Sequence, residues 1–190
     1  DRFLKALKEK SQKAHDEALL SLHCGLRFGE IAALTWGAVD LEQGILTIMD
    51  AKAGSRYAFL TSQASEMLRG RKLGNPQDLV FPGRLGRKQT MPSLTFARII
   101  KELGFNAGVD DSRLRVTFHT CRHSYASWLV EQGIDLYTVQ KLLGHKTGAM
   151  TARYAHLSEN RLKEAAKALS RAVEENRTTG AGAEIVNLKT

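Results

Sequence analysis

Apolar residues recur at helical spacing from the first residues onward. Phe3, Leu4 and Leu7, then Ala18, Leu19 and Leu22, mark two helical faces, and Gly25 closes the second helix. FGEIAALTW predicts another short helix after Arg27. GILTIMD and RYAFL flank the turn AKAGS, the pattern of a β-hairpin with Lys52 in or beside its turn. Residues Asn75 to Pro92 hold all three prolines with Gly83 and Gly86, and Arg84, Arg87 and Lys88 make this a basic loop. Pro92 suits the first turn of a helix running to about Leu103.

From Phe118 the apolar positions Phe118, Tyr125, Leu129 and Val130 share one face, ended by Gly133. Asp135 is placed to cap a helix to Leu143, with Gly144 as its stop. Thr147 is read as the cap of a third helix that carries Tyr154. Ser158 is read as the cap of a fourth, with the stripe Leu162, Ala165, Ala166, Leu169, Ala172 and Val173. The tail has a Gly-rich start and one strand-like piece, EIVNL. The pattern predicts a mainly α domain (α+β class) with a small antiparallel sheet, and no internal repeat.

Composition narrows the function classes. A chain of 190 residues with 43% hydrophobic and 25% charged residues fits one soluble globular domain that needs neither disulfide nor metal to fold. No apolar run approaches the roughly 20 residues that span a bilayer. Cys24 and Cys121 read as free thiols in a reducing cytosol, with Cys121 a buried small hydrophobe. The opening at Asp1 reads as a piece of something longer. The net charge of +8 favours a polyanionic partner, nucleic acid first.

The stretch from Phe118 to Leu157 gathers His119, Arg122, His123, His145, Arg153, Tyr154 and His156. Three explanations compete: a metal cage, a wet surface, or a site for an anionic substrate. His119 and Arg122, three apart, share a helical face, as they would on a merely solvated surface. The cage would take His119 and His123 at i, i+4 with His145 or His156. Against it, TCR between the two supplies no Glu where a zinc hydrolase wants its base, and Arg122 would set a cation against the metal. GHKT lacks the GxxxxGK[ST] pattern of a phosphate loop.

The joint order GLRFGEIAALTW, a hairpin lysine, HTCRH, LLGH and RYAH resembles the tyrosine recombinase family, also called phage integrases, from about Ala14 to Val173. Five motifs in one order carry a resemblance that none would carry alone. Phe118 and Cys121 depart from the pattern, standing where proline and leucine are common, and the AKAGS turn is short. The resemblance implies a catalytic domain over residues 1–176 and a tail over 177–190 exchanged between protomers, without the family's N-terminal core-binding domain. It implies that Arg27 and Arg122 are catalytic arginines, Lys52 the hairpin lysine, His119 the partner of Arg122 in the His-x-x-Arg pair, His145 the histidine after LLG, and Tyr154 the nucleophile. It further implies double-stranded DNA as partner, a homo-tetramer on two synapsed sites, no cofactor or metal, and a cytoplasmic, nucleoid-associated place for a bacterial or phage-encoded protein. The rivals are a type IB topoisomerase-like strand transferase and an inactive DNA-binding accessory module; filled catalytic positions count against the second.

The chemistry suits these groups. Attack on a phosphodiester drives charge onto its non-bridging oxygens, which the planar, permanently charged forks of Arg27 and Arg122 could bind. A phenol of pKa about 10 is ionised only about one part in a thousand near neutral pH, so Tyr154 needs a base. His119 is the candidate to accept that proton, His145 to donate a hydrogen bond to a phosphoryl oxygen, and Lys52 to protonate the departing 5′ oxygen. A 3′-phosphotyrosyl link would conserve the bond's energy for rejoining, so ATP is not needed. Trp36, Trp128 and Tyr125 are expected in core or edge packing, His123 as a supporting imidazole, Glu30 as a carboxylate that orients Arg27, and His156 facing solvent.

Overall fold

The computed structural model of the chain describes residues 2–50, 54–158, 167–172 and 174–175. Two helices open it, α1 (Arg2–Lys10) and α2 (Gln12–Cys24), the second started by the Ser11 hydroxyl accepting from Ala14 N at 3.2 Å. The short α3 (Phe28–Ala33) leads into β1 (Val39–Asp40), β2 (Ile45–Asp50) and β3 (Gly54–Phe59). These strands form an antiparallel sheet in the order β1-β2-β3, with Ile48 opposite Arg56. After it come α4 (Ser62–Arg69), α5 (Leu94–Glu102), α6 (Phe118–Glu131), α7 (Leu136–Leu143) and α8 (Ala149–Ala152). A helical domain with a small three-stranded antiparallel sheet is therefore the architecture.

Two apolar clusters organise it. The larger joins α1 to α5 and the sheet around Leu7, Leu20, Leu26, Ile31, Leu46, Leu68, Phe81 and Ile99. The smaller, Ala126, Val130, Val139, Leu143 and Tyr154, lies under α6, α7 and the turn after α8. Helix α6 belongs to both: Phe118 and Cys121 lie in the first cluster, Ala126 and Val130 in the second. Arg122 falls between them, at the seam. The basic loop is fastened to α2, where Gln89 donates to Glu17 at 2.6 Å and Lys13 to the Pro82 carbonyl at 2.5 Å.

Several local expectations are corrected. The helix after Arg27 stops at Ala33, because residues 34 to 36 turn to pair with the loop: Val80 N donates to Leu34 O at 2.8 Å and Trp36 N to Asp78 O at 3.0 Å. Pro92 stands before the Ser93 N-cap of α5 rather than inside its first turn. Thr147 does not cap α8, whose N-cap is Gly148 with no side-chain bond, and Tyr154 lies past its end. Tyr154 N donates to Thr151 O at 3.0 Å in a tight turn, so this turn and not a helix sets the direction of the ring. Trp128 is 49% exposed instead of packed. The stripe of the fourth helix is described only from residue 167, within a helical segment over 167–172; Lys52, EIVNL and the tail lie outside the described residues.

Candidate active site

Arg122 is the largest fully buried side chain, 1% exposed. Its guanidinium donates to the Gly25 carbonyl at 2.5 Å and to the Leu143 carbonyl, the terminal carbonyls of α2 and α7. Helix C-termini carry negative partial charge and unsatisfied carbonyls, so two of them converging make a neutral-chain counterpart for a buried cation. Both ends need glycine. Gly25 has φ +67°, and a Cβ there would meet the Tyr125 ring at 2.6 Å; Gly144 has φ +63°, and a Cβ there would lie 2.5 Å from Arg56 Cδ. Burial, then the charge of Arg27, pull the Arg122 pKa down to about 10, still leaving it protonated at neutral pH.

Glu30 gathers the cations around this anchor. Its carboxylate accepts from Arg27 N at 2.7 Å, from Arg27 Nη1 at 2.9 Å and from Arg56 Nη2 at 2.8 Å, and lies 3.7 Å from Arg122. Arg56 also donates to the Leu142 carbonyl at 3.0 Å, tying β3 to the end of α7. Because one carboxylate serves three guanidiniums, the cluster keeps an excess of positive charge. Arg27 is the more open of the pair, with about a third of its side chain exposed, and it borders a hollow of about 440 Å³ lined also by Thr47, Met49 and Lys88.

The imidazoles and the phenol close the site. Tyr154 is 5% exposed, and His123 Nδ1 meets its hydroxyl at 2.5 Å. His119 lies edge-on to His123 with ring centroids 4.6 Å apart. His145 Nδ1 meets Thr151 Oγ1 at 2.8 Å. Burial first, then neighbouring positive charge, hold His123 and His145 down to about 4, and lower His119 as well. Arg122 and Arg153 act on all three histidines, Arg27 on His119 and His145. Burial raises the Tyr154 pKa, with Arg153 and Arg122 opposing it. At neutral pH this is a neutral phenol among neutral imidazoles and fixed cations, an arrangement ready for an anion.

Arg27, His119, Arg122, His145 and Tyr154 are thus brought together from α3, α6, the turn after α7 and the turn after α8; Lys52 lies outside the described residues. One member, Arg56, escaped the sequence analysis, and two others hold places it did not assign. His123, expected as a supporting imidazole, touches the phenol, Arg153 acts on the three histidines and on Tyr154, and Arg56 links the sheet to the cluster. Arg56 had a signal: it shares the covered face of β3 with buried Ala58, where a charge calls for a partner. Among the described residues no three His, Cys, Asp or Glu side chains are grouped to hold a metal ion. A cleft of about 1060 Å³, lined by His15, Asp16, Trp36 and Arg71 among others, shares no residue with this cluster.

The phage integrase family matches residues 1–161. The chain belongs to that family. This family member is 34% identical over 163 residues to tyrosine recombinase XerD of Pseudomonas putida, covering 78% of this chain and 52% of that protein. Tyrosine recombinase XerA of Pyrococcus furiosus is 34% identical over 152 residues (77% and 51%), and XerC of Xanthomonas campestris 37% over 147 (75% and 44%). The chain spans about half the length of these curated relatives. Among solved structures, the catalytic domain of bacteriophage HP1 integrase superposes with a TM-score of 0.62 at 22% identity, over 88% of this chain and 91% of that one. The XerA recombinase gives 0.63 at 24%, over 86% and 60%. The integrase fold accounts for the helical frame and its small sheet.

Proposed function

We propose that the chain is the catalytic domain of a site-specific DNA recombinase that cleaves and rejoins duplex DNA through a 3′-phosphotyrosyl intermediate, without metal or ATP. The observation that carries this reading is the buried Arg122, fixed by two helix ends and flanked by Arg27, within electrostatic reach of the Tyr154 phenol. A phosphodiester seated there would have its non-bridging oxygens met by Arg27 and Arg122, with His119 and His145 donating hydrogen bonds, while Tyr154 attacks phosphorus and Lys52 protonates the 5′ oxygen. The names of the relatives, tyrosine recombinases, favour recombination over relaxation of supercoils. A DNA duplex as partner is supported by the +8 charge and by the XerH recombinase, solved bound to its difH substrate and similar in fold at a TM-score of 0.67. Assembly is proposed as four protomers on two DNA sites, with residues 177–190 passing between neighbours, in the cytoplasm.

The test is covalent trapping on a nicked suicide duplex, from which the short downstream fragment bearing the freed 5′-OH diffuses away. Wild type should form DNA-linked protein that resists denaturation and persists in chelator. Tyr154→Phe should bind the duplex and form none. Adduct from Tyr154→Phe, or its abolition by chelator in the wild type, would overturn the reading.

A further inference from the structure

Tyr154 is buried, and a buried phenolic hydroxyl has to find a hydrogen-bond partner. Among the described residues that partner is His123, from the helix turn that also carries His119 and Arg122. The neighbouring His119 ring stands nearly perpendicular to that of His123, with centroids 4.6 Å apart. We propose, building on the recombinase reading, that His123 rather than His119 holds the Tyr154 hydroxyl and takes its proton as the phenolic oxygen attacks phosphorus.

The step balances. The Tyr154 O–H bond breaks and an N–H bond forms at His123 Nδ1, giving an imidazolium. The oxygen's electron pair forms the bond to phosphorus, the bond from phosphorus to the 5′ oxygen breaks, and that oxygen takes a proton from Lys52. Rejoining runs the same transfers backwards. Nδ1 accepts in this arrangement, which fixes the remaining ring proton on Nε2. The groups acting on His123 are His119 and Arg122 from α6, Arg153 and Tyr154 from the turn after α8, and His145. Its low proton affinity comes from burial and then from His119, Arg153 and Arg122. A phosphodiester bound against Arg122 and Arg153 adds a negative charge that opposes the cations, so substrate itself would make His123 a stronger base. His119 is left free to donate to a phosphoryl oxygen.

The experiment compares His123→Asn with His119→Asn in single-turnover adduct formation on the nicked duplex from pH 6 to 9.5, with DNA affinity measured in parallel. Asn places an acceptor oxygen near the position of Nδ1 but cannot take up a proton. Wild type should be nearly flat with pH. His123→Asn should lose about 10²- to 10⁴-fold at neutral pH, keep its DNA affinity, and recover about tenfold per pH unit as hydroxide replaces the missing base. His119→Asn should be slower than wild type yet equally flat. A flat profile for His123→Asn, or a rate above wild type as release of a mere resting lock would give, overturns the proposal. So does a slope appearing in His119→Asn instead. Nitrogen NMR of the histidines in the DNA-free protein supplies a readout besides activity: Tyr154→Phe should shift the His123 Nδ1 resonance, and no shift overturns the contact. Failure of wild type to form any adduct would be distinct, removing the recombinase reading and this inference with it.

Discussion

Truncating Arg122 to Ala would take a donor from the Gly25 and Leu143 carbonyls inside the protein. A buried acceptor that loses its partner costs about 1–3 kcal/mol, so Arg122→Ala should lose about 2–6 kcal/mol in denaturant unfolding as well as adduct formation. Arg122→Lys should lose less stability but remain inactive, because one ammonium cannot span two carbonyls and also face a phosphate. The imidazoles give a second prediction. His123 and His145 have folded-state pKa values of about 4, below the ordinary value of about 6.5 that unfolding restores. Between those values the unfolded chain binds protons that the folded chain refuses, so their contribution is intact above about pH 6.5 and is lost as pH falls toward 4. Thermal midpoints should fall from pH 7 to pH 5, and less so in His123→Asn/His145→Asn; an equal fall in both would sink the assignment. At this scale most of the candidate site was legible, because Arg27, His119, Arg122, His145 and Tyr154, which the fold gathers, stand in an ordered series of motifs. Which imidazole meets the phenol was not, because Tyr154 leaves the helix and its direction is set by a turn.

At the scale of elements, Gly25 shows how tightly α2 and α6 are joined. An Ala there would face both a left-handed backbone, costing about 1–2 kcal/mol, and overlap with the Tyr125 ring, costing about 1–3. Gly25→Ala should therefore lose about 2–5 kcal/mol by urea midpoint at unchanged slope, and should shift the carbonyl that holds Arg122. Gly29→Ala is the contrast: inside α3 with nothing near its Cβ, it should be neutral or gain up to about 1 kcal/mol. Helices α1, α2, α6 and α7 and the hairpin were legible from periodicity and caps, Asp135 indeed accepting from Thr138 N at 2.9 Å. Helix α4 was overlooked despite its Thr61 cap: it has eight residues and buries only Ala64 and Leu68, so packing against α2 stabilises it more than local pattern does. The pairing of residues 34 to 36 with the loop near Asp78 joins positions some forty apart, beyond any local signal.

For the molecule as a whole, a net charge of +8 and a basic loop beside the Arg27 hollow predict affinity for duplex DNA that weakens steeply with salt. Each phosphate contact contributes about 0.9 log units of affinity per log unit of salt. Replacing Arg84, Arg87 and Lys88 together with Gln should flatten that dependence by up to about 2.7, while adduct formation at saturating DNA continues. An unchanged slope would place the duplex elsewhere. The loop can be altered this way because its anchors, Gln89 on Glu17 and Lys13 on the Pro82 carbonyl, do not involve the three cations.

The seating of Arg122 between two helix ends has an evolutionary consequence. On the proposed reading the same guanidinium would be both the phosphate's counter-charge and the bolt between two halves of the fold, so selection for folding would guard it even where selection for strand transfer had lapsed. Tyr154 and His119 carry no such double duty, since phenylalanine can fill the phenol's place and His119 is only partly covered. A descendant of this chain that survived only as a DNA-bound scaffold would therefore be recognised by a missing tyrosine beside a retained arginine.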